Sequence, residues 1–248
     1  MIPRYVRWQA ALGRGDLHPG GREVSERLGV WCEPWRGGRL VEVGAGAGLT
    51  SARFAALGWD VVATEPDPVL ADLCRARGLR TYRVGAEALP EALGEGSASV
   101  VIAESVLFAL DLPRVLASIA RVLAPGGALA LTDMVWTEHA PEAAARALHD
   151  ASADAFGIAV ASRARWTWTD WLEMLDNAGF HVERAERLPD GGGMTRSLSR
   201  AAEWRATLLN PRAALGLRRS RTAPVPRVPD DWFESWCALA VTRQPPLK

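Results

Sequence analysis

Residues 39–48 read Arg-Leu-Val-Glu-Val-Gly-Ala-Gly-Ala-Gly, and this stretch decides the fold. An apolar run, Leu40 to Val43, carries one acid, Glu42, and stops at three glycines on alternate positions, Gly44, Gly46 and Gly48. A helix-like stretch from Leu49 to Leu57 follows. Glycines at this spacing let the backbone turn tightly and approach a ligand that side chains would exclude. The helix start then offers free N–H groups. A dinucleotide-binding turn reads G-x-G-x-x-G and cradles a pyrophosphate. Here the third glycine comes one residue early, and Glu42 would repel a pyrophosphate but suit a cationic ligand.

The alternation continues outward from this turn. Strands are expected at 39–43, 59–64, 79–84, 99–103 and 127–132. Helices are expected at 49–57, 68–77 and 112–123. This order argues for a parallel, doubly wound sheet. Pro125-Gly126-Gly127 is expected to end a helix and open a strand. Residues 134–165 are Ala-rich and read as helical, interrupting the alternation. Trp168 to Ala178 reads as a helix closed by Gly179, and Phe180 to Leu188 and Trp236 to Arg243 as strands. The expected organisation is a helical lead-in at 1–37 and a core at 38–189 with a helical lid at 134–165. A loop-rich insertion at 190–230 and a final core strand within 231–248 complete it.

The acid-x-G-x-G-x-G turn resembles motif I of class I S-adenosylmethionine-dependent methyltransferases, with a type 11-like, small-molecule character. Further matches follow in order. Glu65 ends the second expected strand and matches the acid of motif II, which accepts the ribose hydroxyls; Pro66 follows it. Asp67 competes for that role but reads better as the cap of the helix from Pro68. Residues 84–90, Val-Gly-Ala-Glu-Ala-Leu-Pro, resemble the adenine loop. Gly85 stands where an acid is common, while Ala86 and Glu87 match. Residues 121–132, Arg-Val-Leu-Ala-Pro-Gly-Gly-Ala-Leu-Ala-Leu-Thr, resemble the signature R-V-L-x-P-G-G-x-L. The resemblance implies a Rossmann-like, seven-stranded sheet with its last strand antiparallel, and S-adenosyl-L-methionine as cofactor. It places cofactor binding on Glu42, Gly44, Ala45, Gly46, Gly48, Glu65, Pro66, Ala86, Glu87 and Glu104.

The methyl-facing rim departs from the relatives. Residues 103–108, Ala-Glu-Ser-Val-Leu-Phe, resemble small-molecule methyltransferases that read Glu-Ser-x-His-His, but Leu107 and Phe108 stand in place of the histidines. The usual general base is therefore missing from that segment. Asp133 matches an acid that faces substrate in the same relatives, and also reads as a helix cap. Glu104 reads equally as a ligand-side structural acid. Asp133 and His139 are the catalytic candidates; His149 and Glu138 share the lid segment. His18 and Arg22 have a reading near the methionine carboxylate, beside the plainer one of a solvated loop. Tyr5, Arg7 and Trp8 read as a lid or as a helix packed on the domain. Trp168 and Trp171 share a helix face and Trp166 does not. Trp136, beside Asp133, could wall an apolar or aromatic substrate.

Composition narrows the classes. Of 248 residues 48% are hydrophobic, enough for a full core. Lys plus Arg equals Asp plus Glu at 29 each, so no global field favours nucleic acid or an anionic membrane. Residues 184–227 do hold ten arginines against three acids. This keeps an RNA or protein methyltransferase reading open, next to a non-catalytic cofactor-binding one. The three cysteines have no metal-type spacing, and no metal is expected. No signal-peptide run or span of 18 apolar residues is seen, so a cytoplasmic protein with a small-molecule substrate and no membrane partner is expected.

Overall fold

The computed structural model describes residues 3–189, 206–220 and 222–243. Its strands are β1 (Arg39–Val43), β2 (Asp60–Thr64), β3 (Arg80–Tyr82), β4 (Ala98–Glu104), β5 (Leu123–Trp136), β6 (Phe180–Arg187) and β7 (Phe233–Thr242). They form one seven-stranded sheet in the order β3-β2-β1-β4-β5-β7-β6. The first five are parallel, and β7 runs antiparallel to both β5 and β6. The chain moves outward from β1 to β3, then returns to place β4 on the other side of β1. The switch point therefore lies between the carboxyl ends of β1 and β4, where open sheets of this kind bind ligands.

The sequence of β4 explains its central place. Val100 to Ala103 have no exposure on either side, as expected for a parallel strand covered on both faces. Helix α6 (Leu112–Val122) covers one face, with Leu112, Val115, Leu116, Ile119 and Val122 fully buried at helical spacing. Each such side chain contributes about 1.5–3 kcal/mol through burial. Helices α2 (Gly21–Trp31) and α3 (Leu49–Ala56) cover the other face through Val24, Leu28, Trp31 and Phe54. Helix α4 (Pro68–Ala76) links β2 to β3, and the short α5 (Leu89–Leu93) packs on α6. Helix α8 (Trp168–Asn177) lies against β6 and α6.

Three expectations need correction. The strand expected at 127–132 is longer at both ends, and Pro125-Gly126-Gly127 lies inside it. Gly126, at φ +74°, absorbs the irregularity, opposite a register shift between Ala98 and Val100. Residues 134–136 are strand because β7 pairs with them as far as Trp136 opposite Phe233. The lid helix is thus confined to α7 (Glu142–Phe156), stopped by Gly157 at φ +73°. The final strand likewise begins at Phe233, three residues before its expected start.

Part of the expected insertion, 190–205 and 221, lies outside the described residues. The rest includes α9 (Pro211–Ser220), which packs on α1 (Arg4–Ala11). A Cβ on Gly216 would stand 2.4 Å from the Trp8 ring, so the two helices meet only because residue 216 is glycine. Among the described residues no helix is long and apolar enough to cross a membrane.

Candidate active site

The glycine turn after β1 has the conformation its composition demands. Gly44, Gly46 and Gly48 sit at φ +65°, +55° and +76°, a region that favours glycine. Their surroundings differ. A Cβ on Gly44 would lie 2.7 Å from Val106, and one on Gly48 would lie 2.8 Å from Leu79 and 2.9 Å from Cys74 Sγ. A Cβ on Gly46 would meet nothing within 4 Å. The outer glycines serve packing, while Gly46 faces open space. Ala45 N–H donates to Thr64 O at 3.0 Å and Gly48 N–H to Ala45 O at 2.8 Å, which fixes the turn on β2. Gly48 caps α3 without a side-chain acceptor, so the first N–H groups of α3 have no capping side chain.

Four buried carboxyl groups line the switch point. Glu65 accepts from Gly46 N–H and Asp67 N–H, each at 2.9 Å, and so ties the turn to the start of α4. Burial pushes its pKa up to about 7 against the opposing pull of those two hydrogen bonds. Glu42, below the turn, accepts from Ser51 Oγ. Burial first, and the neighbouring Glu104 second, push Glu42 up to about 8. Glu104, at the end of β4, accepts from Ser25 Oγ at 2.7 Å and Thr50 Oγ1 at 2.8 Å. His18 Nε2 lies 3.4 Å from Glu104 Oε2 and 3.2 Å from Ser25 Oγ. Ser105, the next residue, holds a strained φ of +54°.

The fourth carboxyl, Asp133, has the geometry of a cap, the second of its two sequence readings. It is 1% exposed, and Oδ2 accepts from Leu107 N–H at 3.0 Å and Phe108 N–H at 3.2 Å. Oδ1 accepts from Met134 N–H at 3.0 Å. Burial pushes it up to about 8. Its geometry is that of a buried cap holding the short helical turn Leu107–Ala109 against β5.

The other candidates fall in several places. Asp67 is the N-cap of α4, accepting from Val69 and Leu70 N–H groups at 3.1 Å each. Arg7 of α1 grips it with contacts of 2.9, 3.0 and 2.5 Å. Burial alone would raise Asp67; the Arg7 guanidinium together with the Leu70 and Val69 N–H groups outweighs it and holds the carboxyl below its usual value. Ala86 is buried on the short turn Ala86–Ala88 after β3, Glu87 is half-buried beside it and Pro66 is exposed. His139 and Glu138 are exposed and line a separate cleft, together with none of the cofactor-turn residues. His139 is therefore not gathered with Glu104. His149 Nδ1 contacts Ala161 O at 2.9 Å, inside the lid. Arg22 pairs with Glu26 on the surface. Trp171 is fully buried, and Trp168 stacks on Trp236. Among the described residues no cluster of metal-type ligands occurs.

Sequence reading missed Ser25, Thr50 and Ser51. Two hydroxyls directly after a glycine turn were a usable signal for the latter pair. Ser25 had none, since its partner lies 79 residues away.

Comparison with known proteins agrees with this fold. A methyltransferase-domain family model matches residues 41–131. An uncharacterized methyltransferase of Mycobacterium tuberculosis is 34% identical over 106 residues, which is 43% of this chain and 42% of that protein. The match thus spans less than half the length of that relative. The fold resembles a SAM-dependent methyltransferase from Geobacter sulfurreducens solved with S-adenosyl-L-homocysteine. That likeness has a TM-score of 0.66 at 16% identity and covers 98% of this chain and 99% of that one. It also resembles the 1,6-didemethyltoxoflavin-N1-methyltransferase of Burkholderia thailandensis, with a TM-score of 0.54 at 17% identity, covering 95% and 80%.

Two outcomes are expected. Gly48→Val should destabilise the fold by about 1–3 kcal/mol through overpacking, seen as a lower denaturation midpoint. Gly46→Val shares the positive-φ strain but meets no atom within 4 Å, so it should cost less than Gly48→Val and also block ligand approach; equal losses would remove the distinction. The raised carboxyls also predict a pH response. Glu42, Glu65 and Asp133 keep protons in the folded chain where the unfolded chain has lost them. Their contribution is complete below about pH 4 and is lost as pH rises through about 7 to 8. Thermal melts of the wild type should fall between about pH 5 and pH 8, and Glu42→Gln should fall less. Parallel slopes would show that Glu42 does not titrate in this range.

Proposed function

We propose, for a chain that belongs to the class I S-adenosylmethionine-dependent methyltransferases, that it transfers a methyl group to a small-molecule nucleophile. The observation that carries this reading is the acid-flanked turn, open at Gly46 and held by Glu65. The residues present fit the cofactor. The open side of Gly46 admits a ligand to the backbone, and buried carboxyl groups suit a cation. Bound S-adenosylmethionine supplies an electrophilic methyl group on a positively charged sulfur. On this reading Glu65 holds the ribose hydroxyls, Ala86 and Glu87 flank adenine, Glu104 supplies negative potential, and Glu42 adds to it as it ionises.

The chain's own residues set what else the reaction needs. Leu107 and Phe108 are buried and apolar, and Asp133 is occupied by three backbone donors. The end of β4 therefore offers shape and water exclusion more than base chemistry. An acceptor whose nucleophile is already neutral or readily ionised suits such a rim, and both oxygen and nitrogen acceptors remain within the proposal. Asp133 acts as a positioning residue for the Leu107–Ala109 turn. His18 acts as one for Glu104 and fastens the lead-in over the switch point. The Burkholderia neighbour, named for methylating a small heterocycle, supports the small-molecule class. Three free, buried cysteines suit a reducing cytoplasm.

Calorimetry with S-adenosylmethionine, S-adenosylhomocysteine and NAD tests the reading. The first two should bind and NAD should not, and Gly46→Val should abolish binding. Glu65→Ala should weaken binding by ~1–3 kcal/mol, the scale for hydrogen bonds to a charged group. The charge argument adds a pH test. As Glu65 and Glu42 ionise through about 7 and 8, the positively charged cofactor should gain on its neutral-sulfur product. The ratio of their affinities should rise from pH 6 to pH 9. A flat ratio would separate these carboxyls from the sulfonium.

A further inference from the structure

Beyond the level of Asp133, β5 and β7 continue as a two-stranded ribbon, paired from Asp133 opposite Trp236 to Trp136 opposite Phe233. A cleft of about 690 Å³ opens on this ribbon, within the size range of small-molecule sites. Its accessible aromatic surface comes from the half-buried Phe233 and Trp168. Phe233 backs onto the buried Trp136 with ring centroids 4.2 Å apart, and Trp168 stacks on Trp236 at 4.6 Å with the planes within 5°. The Trp236 indole N–H is buried and has no hydrogen-bond partner among the described residues.

The polar lining is strongly one-sided. Glu138, Asp230, Asp231 and Glu234 face it, against Arg187 and His139. Arg187 Nε stands 3.3 Å from Glu234, so that guanidinium is matched within the cleft. The N-terminus of α8 also opens here and would by itself draw an anion. Its own capping box, Thr167 with Asp170, occupies that end and adds another carboxylate.

We propose that this cleft recognises the methyl acceptor and that it takes a flat aromatic molecule carrying a positive charge. The proposal rests on the methyltransferase reading for the acceptor's role. Aromatic walls offer stacking surface and attract a cation over their faces. The carboxylates add long-range attraction at the rim. Position agrees. Glu104 of β4 pairs with Thr132 of β5, and Asp133 of β5 with Trp236 of β7. Two inter-strand steps of about 4.8 Å therefore lead from β4 to β7, and three residues of about 3.3 Å lead from Asp133 up to Trp136. The acceptor is thus an extended molecule, with roughly 10 Å or more between its charged aromatic part and its nucleophile.

Three indoles of one shape and different charge test this on the full chain. Tryptamine is cationic, indole-3-ethanol neutral and indole-3-propionate anionic. Titration with S-adenosylhomocysteine present should show tryptamine binding at least about fivefold tighter than the alcohol, with the acid weakest. The double variant Asp230→Asn, Asp231→Asn changes exposed residues and removes two of the four lining carboxylates, so it should lower the charge preference at least about twofold while leaving S-adenosylhomocysteine affinity unchanged. Trp168→Ala should weaken all three indoles. Equal affinities for amine and alcohol, no binding of any indole, or a preference of unchanged size in the double variant would each overturn the proposal. Failure of S-adenosylhomocysteine to bind, with the amine preference intact, would instead overturn the methyltransferase reading and leave the cleft's chemistry standing.

Discussion

One buried carboxyl group holds the crevice in shape. Glu65 accepts a backbone N–H from the glycine turn with one oxygen and one from the start of α4 with the other. These loops follow different strands and share no local hydrogen-bonding pattern. Without Glu65, Gly46 N–H would lose its acceptor, and the turn would keep its backbone bond from Ala45 to Thr64 but lose its tie to the start of α4. The next link, Asp67, caps α4 and receives Arg7 from the lead-in. A single side chain at a strand end thus couples the turn, the adjoining helix and the segment that folds over both.

The cost of this arrangement is concentrated negative charge. Glu42, Glu65 and Glu104 are all nearly enclosed, and removing a carboxylate from water is costly unless it is paired or protonated. The chain meets this largely with neutral donors: Ser51, Ser25, Thr50 and two backbone N–H groups. His18 is the cationic type nearest Glu104 among the contacts described. Arg53, which lies close enough to be felt by Glu104, is paired with Asp16 of the lead-in. A site that withholds fixed counter-ions leaves that place to a cationic ligand. The same logic disfavours a pyrophosphate, and Glu42 carried it from the outset.

The sequence made the central part of this legible. β1, β2 and β4 are short apolar runs closed by acids or glycines, and α6 carries an apolar stripe, so local pattern alone defines them. The glycine turn and Glu65 were readable for the same reason: backbone conformation and strand-end position are local facts. What escaped depends on distant partners. Residues 134–136 became strand because β7, a hundred residues later, pairs with them. Ala-rich composition argued for helix and was overruled by those long-range hydrogen bonds. Asp133 matched a substrate-facing acid by position, yet its direction depends on Leu107 and Phe108 offering two N–H groups. His18 was a loop histidine until folding carried it to Glu104.

These long-range contacts divide the carboxyl edge of the sheet into two chemical halves. On the β1–β2 side the lining is backbone, small residues and buried acids, suited to a charged and heavily hydrogen-bonding ligand. On the β5–β7 side it is stacked indoles with carboxylates at the rim. Between them stands the turn Leu107–Ala109, apolar and pinned by Asp133. A polar group there would compete with Asp133 for the same N–H donors and would draw water to the place where methyl transfer needs it excluded. The loss of the relatives' histidines is consistent with this division. On the proposed reading the barrier between the two halves works by being dry and fixed in place, and the deprotonation chemistry passes from the protein to the choice of acceptor.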